Sequence, residues 1–255
     1  VATVIWFWGS IAIGILLAIA ALLLYKTHKF HWSREKKQET HAALTDKDHD
    51  TLWERIQTDV HHILPSLSSI YESMTKHIIE NQDHLLKKDA KQASDLAHTS
   101  KIIKWNIHST FQALPDAALE NGEKYVQAVD YLRKMATTLE NMSQQARDYA
   151  LNQHPDLIDT QQKELTDIKK TLKQILEKTR SCFATWMFWD LTELDHIIEK
   201  AIETIEAYKK EQLTRIKQNE VGVRNTTLYL NLLLETKNLY VYLLKTLHLG
   251  RKLMG

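Results

Sequence analysis

Thirteen histidines, one cysteine and one polar stripe are the residues whose types and spacing bear on chemistry in this chain. His28 and His31 lie three apart, a spacing that brings two imidazoles onto one helix face and suits a metal pair. His61 and His62 are neighbours, so a helix turns them about 100° apart, a poor arrangement for sharing an ion. Cys182 is the only cysteine, which excludes an intrachain disulfide and a thiolate metal cage. There is no HExxH, no phosphate-binding P-loop and no GxGxxG, and no Ser-His-Asp set is recognisable from local context. The chain is therefore read as a non-enzyme, with no catalytic residue, no metal and no cofactor.

The polar stripe lies in "NTTLYLNLLLETKNL", Asn225 to Leu239. At about 100° per residue, Asn231, Glu235 and Asn238 fall on one face of an otherwise apolar helix, together with Thr227 and Lys245. Such a stripe suits a solvated edge, a ligand or metal site, or polar contacts between helices. A second cluster, Phe183, Trp186, Phe188 and Trp189, reads as core at a helix junction in preference to a partner surface.

The elements that must position these residues are helices. Only 6 Gly and 3 Pro are spread over 255 residues, leaving little room for a meander of short strands. A net charge of +1 gives no electrostatic reason to bind nucleic acid. Val1 to Tyr25 carries no charged residue, and about 20 apolar residues suffice to cross a bilayer. Residues 1–30 are therefore expected to form a transmembrane helix, with Trp6 and Trp8 marking one interface and Tyr25 and Trp32 the other. Lys26, Lys29, Arg34, Lys36 and Lys37 then form a basic collar opposed only by Glu35. The positive-inside rule puts the collar and all that follows in the cytoplasm, with Val1 extracytoplasmic. The start within an apolar stretch suggests the C-terminal piece of a longer membrane protein.

Beyond a juxtamembrane linker, 31–48, the spacing predicts a helical bundle over 49–250. Leu52, Ile56, Val60, Ile63 and Leu67 recur at three and four, as do Ile70, Met74 and Ile78, with Pro65 expected to kink or restart the helix. A break at Glu80 to Asp83 leads to a second helix through Leu85, Leu96, Ile103 and Ile107. A loop at Leu114 to Gly122 leads to a third, ending near Leu151. After Asn152 to Asp156 a fourth helix carries Leu165, Ile168, Leu172, Ile175 and Leu176, and a turn follows near Trp189-Asp190. A fifth runs from about Leu191 to Gln218. Past Gly222 the sixth starts with Asn225 or Thr226 as cap and ends before Gly250. "DHLLKK" at Asp83 and "DHIIEK" at Asp195 fall early in the second helix of each set of three, which favours a duplicated unit, 49–152 and 156–250.

The closing stretch "RNTTLYLNLLLETKNL" (Arg224 to Leu239) resembles the end of the C-terminal tail in bacterial members of the inorganic phosphate transporter (PiT) family. "SIYESMTKHIIENQDHLLKKD" (Ser69 to Asp89) and "YVQAVDYLRKMATTLENMS" (Tyr125 to Ser143) resemble that tail too. The resemblance implies an all-α protein: one transmembrane helix followed by a PhoU-like bundle of two three-helix units. It would be the C-terminal portion of a cation-coupled phosphate transporter in the inner membrane, with a cytoplasmic regulatory or scaffolding domain. The implied partners are the membrane, the upstream transporter core, which handles the phosphate, and a second copy in a homodimer. PhoU proteins often hold metal on carboxylates one turn apart. Here Arg133 and Thr137 stand at those positions in the first unit, and Glu235 is followed by Leu239 in the second. A cation and a leucine in place of hard oxygen ligands speak against a metal cluster. They leave Asn231, Glu235 and Asn238 to be read as an inter-helix polar seam. The rival reading is a membrane-tethered helical signalling or scaffold protein unrelated to transport.

Overall fold

Residues 52–113, 121–152, 154–185, 187–188 and 191–254 are described by a computed structural model, and all belong to one compact unit, His49–Gly255. The expected span, the linker and the collar residues Lys26, Lys29, Arg34, Lys36 and Lys37 lie outside the described residues. Among the described residues no helix is long and apolar enough to cross a membrane.

The described elements are all helical: α1 Leu52–Ile79, α2 Asp83–Trp105, the short α3 Ile107–Gln112, α4 Gly122–Leu151, α5 Asp159–Thr185, α6 Thr192–Lys217 and α7 Val223–Met254. The apolar spacing read from the sequence is the buried stripe of these helices. Leu52, Ile56, Val60, Ile63, Leu67, Ile70, Met74 and Ile78 are all buried along α1, as are Leu165, Ile168, Leu172, Ile175 and Leu176 along α5. Helix α1 runs on through Pro65 without a restart. The buried side chains Ile63, Leu64 and Leu67 anchor both sides of the proline, offsetting the roughly 3 kcal/mol that a proline costs inside a helix.

Two helix ends use the same device. Asn81 and Asn219 adopt positive φ, 54° and 57°. After α1, Gln82 N donates to His77 O and Asn81 N to Ile78 O; after α6, Glu220 N donates to Arg215 O and Asn219 N to Ile216 O. Both pairs close the last turn in the Schellman pattern, for which asparagine is the usual substitute when glycine is absent. Asn219, and not Gly222, therefore makes the last break. Helix α7 also departs from expectation at both ends. It begins before Asn225, which is no cap, and it continues through Gly250. A Cβ at Gly250 would stand 2.6 Å from Phe188 Cε1, so the absence of a side chain lets the Phe188 ring lie against the helix.

Helices α1, α2 and α4 pack on one another, and so do α5, α6 and α7. The two sets join like to like. The third helices α4 and α7 pack along each other, and so do the first helices α1 and α5. One continuous apolar core runs through both sets. At one end of α1, Trp53 stacks on Phe183 at 5.6 Å and meets Phe188 edge-on. Phe183 and Phe188 are thus core at a junction, while Trp186 and Trp189 lie outside the described residues.

Candidate functional site

Four polar groups tie helices together at a defined register, three within the bundle and one on its outer face, beside the single buried bond between Tyr71 and Thr236.

The largest group lies in the second set. Gln161 of α5 is fully buried and donates from Nε2 to Gln212 Oε1 at 3.0 Å and to Asn225 Oδ1 at 2.8 Å. Asn225 in turn donates to the Asp156 carbonyl at 3.2 Å, and Gln212 to Thr226 Oγ1 at 3.1 Å. One turn deeper, Arg215 of α6 grips Glu164 of α5 through both terminal nitrogens, and the Tyr229 hydroxyl of α7 donates to the same carboxylate. Hydrogen bonding to Glu164 raises the Arg215 pKa despite burial, while burial and the nearby Glu164 charge push the Tyr229 phenol well up. The fork geometry satisfies a buried charge pair that would otherwise be costly.

In the first set, Asp89 of α2 is almost fully buried and receives two bonds from α1. Ser73 Oγ donates to Oδ1 at 2.7 Å, and His77 Nδ1 stands 2.6 Å from Oδ2. Serine, histidine and aspartate are therefore together, but in the wrong order for acyl transfer. A nucleophilic serine needs the imidazole between itself and the carboxylate. Here the aspartate is in the middle, and the histidine nitrogen nearest Ser73, at 3.5 Å, already faces Asp89. The arrangement pins α1 to α2.

Asp59 of α1 lies beneath Tyr125 of α4, whose hydroxyl approaches at 3.5 Å. Burial pushes the Asp59 carboxyl up to about 7, only partly opposed by Arg55 and Tyr125.

The fourth group is on the outer face of α2, α4 and α7. Asp130 takes Lys104 at 3.2 Å and Arg133 at 3.2 Å on one oxygen and Lys134 at 2.9 Å on the other. Partial burial opposes ionisation, yet the bonds from Lys134, Lys104 and Arg133 prevail and hold the carboxyl down at about 2. Tyr131 and Tyr242 stack beside it, with Lys134 Nζ 5.7 Å and 5.9 Å from the two rings.

The chain matches no family model, no curated protein and no solved structure.

The residues singled out in the sequence are partly brought together. Asn231, Glu235 and Asn238 are half-buried on α7. Asn238 donates to Glu235 Oε2 at 3.1 Å within the helix, and Asn231 faces a shallow cavity of about 210 Å³ beside Gln145, Tyr149 and Arg224. Leu239 is fully buried. His61 is exposed and His62 half-buried; burial lowers the pKa of both, with help from Arg180 for His61. Among the described residues no three His, Cys, Asp or Glu side chains converge in a way that could hold a metal. Burial raises the pKa of the half-buried Cys182 thiol.

Sequence reasoning missed the inter-helix contacts made by Gln161, Glu164, Gln212 and Arg215. A signal for them exists: Gln161 and Glu164 continue the buried register of Leu165 and Ile168 one turn earlier, and Gln212 and Arg215 continue that of Ile198 and Ile205. Polar residues in a core register are candidates for partnered burial.

Proposed function

We propose that the bundle is the regulatory or scaffolding tail of a cation-coupled inorganic phosphate transporter. In this reading residues 1–30 are the transporter's last membrane span, and the bundle acts in the cytoplasm by contact with the transporter core or a second copy. The observation that supports it is the pairing of two three-helix sets, third helix on third and first on first, directly after an uncharged stretch and a basic collar. That order agrees with the PiT-family resemblance of Ser69 to Asp89, Tyr125 to Ser143 and Arg224 to Leu239. The fold alone does not give the function.

The test is deletion of residues 48–255 from the full-length protein, followed by phosphate uptake measurements under phosphate-rich and phosphate-poor growth. Changed uptake in either state is the expected result; unchanged uptake in both would sink the regulatory reading. Sequencing upstream of the codon for Val1 decides between this and a tethered signalling scaffold: a coding region without a multi-span core removes the transporter.

A further inference from the structure

The core takes up one face of α6 and one face of α7, and each helix has a second stripe left over. Along α6 it comprises Ile202, Glu206, Lys209, Leu213 and Ile216, and along α7 Val223, Thr227, Leu230, Leu234, Lys237 and Val241. Steps of four and three alternate along both, the spacing of a seam between packed helices. None of these side chains is fully buried. Leu213 is 55 % exposed, Leu234 45 % and Val223 81 %. Of the seven large apolar side chains exposed among the described residues, four lie here: these three and Ile216. Helix α2, the counterpart of α6 in the first set, exposes one, Trp105, at its very end.

The two stripes lie side by side. Helices α6 and α7 run antiparallel, with Gln212 Nε2 bonded to Thr226 Oγ1 at 3.1 Å and Lys237 Nζ to Glu206 Oε1 at 2.7 Å. That register sets Ile202 level with Val241, Leu213 with Leu230 and Ile216 with Val223. The doubled face is about 27 Å long and about 20 Å wide, on the order of 550 Å² in plan. With its relief counted it reaches the scale of the roughly 800 Å² per partner that a stable interface takes. Single exposed leucines are ordinary, but a contiguous apolar stripe of this size marks a contact surface.

We propose that the α6–α7 face is a dimer interface whose occupant is the same face of a second copy. A two-fold axis along the helices lays α6 of each copy over α7 of the other and preserves every level. Leu213 then meets Leu230 of the partner subunit, Ile202 meets Val241 of the partner subunit, and Glu206 faces Lys237 of the partner subunit. A two-fold across the helices, at full overlap, would bring Lys237 near Thr227 of the partner subunit and Glu206 near Ile216 of the partner subunit, charge against groups that cannot neutralise it. Charge therefore selects the crossed setting. This face gives a location to the second-copy contact of the proposed function; it rests on that contact and not on transport.

The test is sedimentation equilibrium of the full chain over a range of concentrations. A dimer is expected. Leu213→Lys and Leu234→Lys, each present twice in the dimer and each at an exposed position, should weaken it by more than about tenfold. Leu151→Lys, at an exposed leucine on α4, should leave it unaltered. Circular dichroism checks that each variant keeps its helices. A monomer at every concentration overturns the interface. So does a dimer equally tight in wild type, Leu213→Lys and Leu234→Lys, the result expected if Val1 to Tyr25 did the pairing. The uptake test reads separately: a dimer with unchanged uptake keeps the interface and removes the regulatory tail, and a monomer with changed uptake does the reverse.

Discussion

Replacing Asp59 with asparagine should stabilise the protein at neutral pH and leave it unchanged in acid. The folded carboxyl titrates near 7, against 3.8 for an ordinary aspartate. Its folded-state pKa is raised, so the stability linked to Asp59 is fully present below pH 3.8 and is lost as pH rises through about 7. Each pH unit inside that window removes about 1.4 kcal/mol, and the shift integrates to a ceiling of about 4 kcal/mol at pH 7. Asp59 retains some exposed surface, and water there trims the figure. Asparagine keeps an oxygen for the Tyr125 hydroxyl and has no proton to lose. Urea unfolding of the full chain, followed by tryptophan fluorescence, should therefore show Asp59→Asn with a higher midpoint at pH 7 and the wild-type midpoint near pH 4. The slope against urea should be the same for both proteins. An Asp59→Asn variant no more stable than wild type at pH 7, or a gap of equal size at both pH values, would refute the reasoning.

Other perturbations probe the remaining contacts. Arg215→Ala leaves Glu164 buried without its cation and should cost about 3–5 kcal/mol, whereas the paired change Arg215→Met with Glu164→Gln should cost much less; urea midpoints separate the two. Gly250→Ala places a methyl 2.6 Å and 2.8 Å from two carbons of Phe188. Overpacking of about 1–3 kcal/mol should outweigh the gain of about 1 kcal/mol in helix propensity, and a higher melting temperature would show that the ring moves freely. Tyr71→Phe and Thr236→Val, tested singly and together, should give a coupling of about 1 kcal/mol for the 2.9 Å bond that joins the two sets.

The helices were legible because their buried faces follow a single period, as Leu52 to Ile78 and Leu165 to Leu176 show. Their ends were less so. Asn219 at positive φ makes the stop that Gly222 advertises, since asparagine tolerates the left-handed region and the real signal is a bonding pattern, not a residue type. Gly250 reads as a stop until Phe188 is seen lying on it, a contact 62 positions away in the chain. Pro65 reads as a break until the core on both sides is known to hold. The polar groups were hardest to read, because a partnered pair such as Glu164 and Arg215 is separated by 51 residues and neither partner alone reveals the other. Asn225 was visible as a polar residue at a helix start, but whether it caps or bridges depends on Gln161 arriving from another helix.

Because α4 packs along α7 and α1 along α5, assembly has a long wait built into it. Tyr71 meets Thr236 across 165 residues, Gln57 meets the Phe183 carbonyl across 126, and Lys124 meets the Lys252 carbonyl across 128. During synthesis the first three-helix set therefore emerges with the sides of α1 and α4 that α5 and α7 will cover still bare. Contacts so distant in sequence slow folding, and the bare surface is open to chaperones and proteases in the interval. At common ribosomal rates of about 5–20 residues per second that interval lasts on the order of several seconds or more. The like-to-like packing that makes one core out of two sets thus also makes the first set a dependent of α7, which is made long after it.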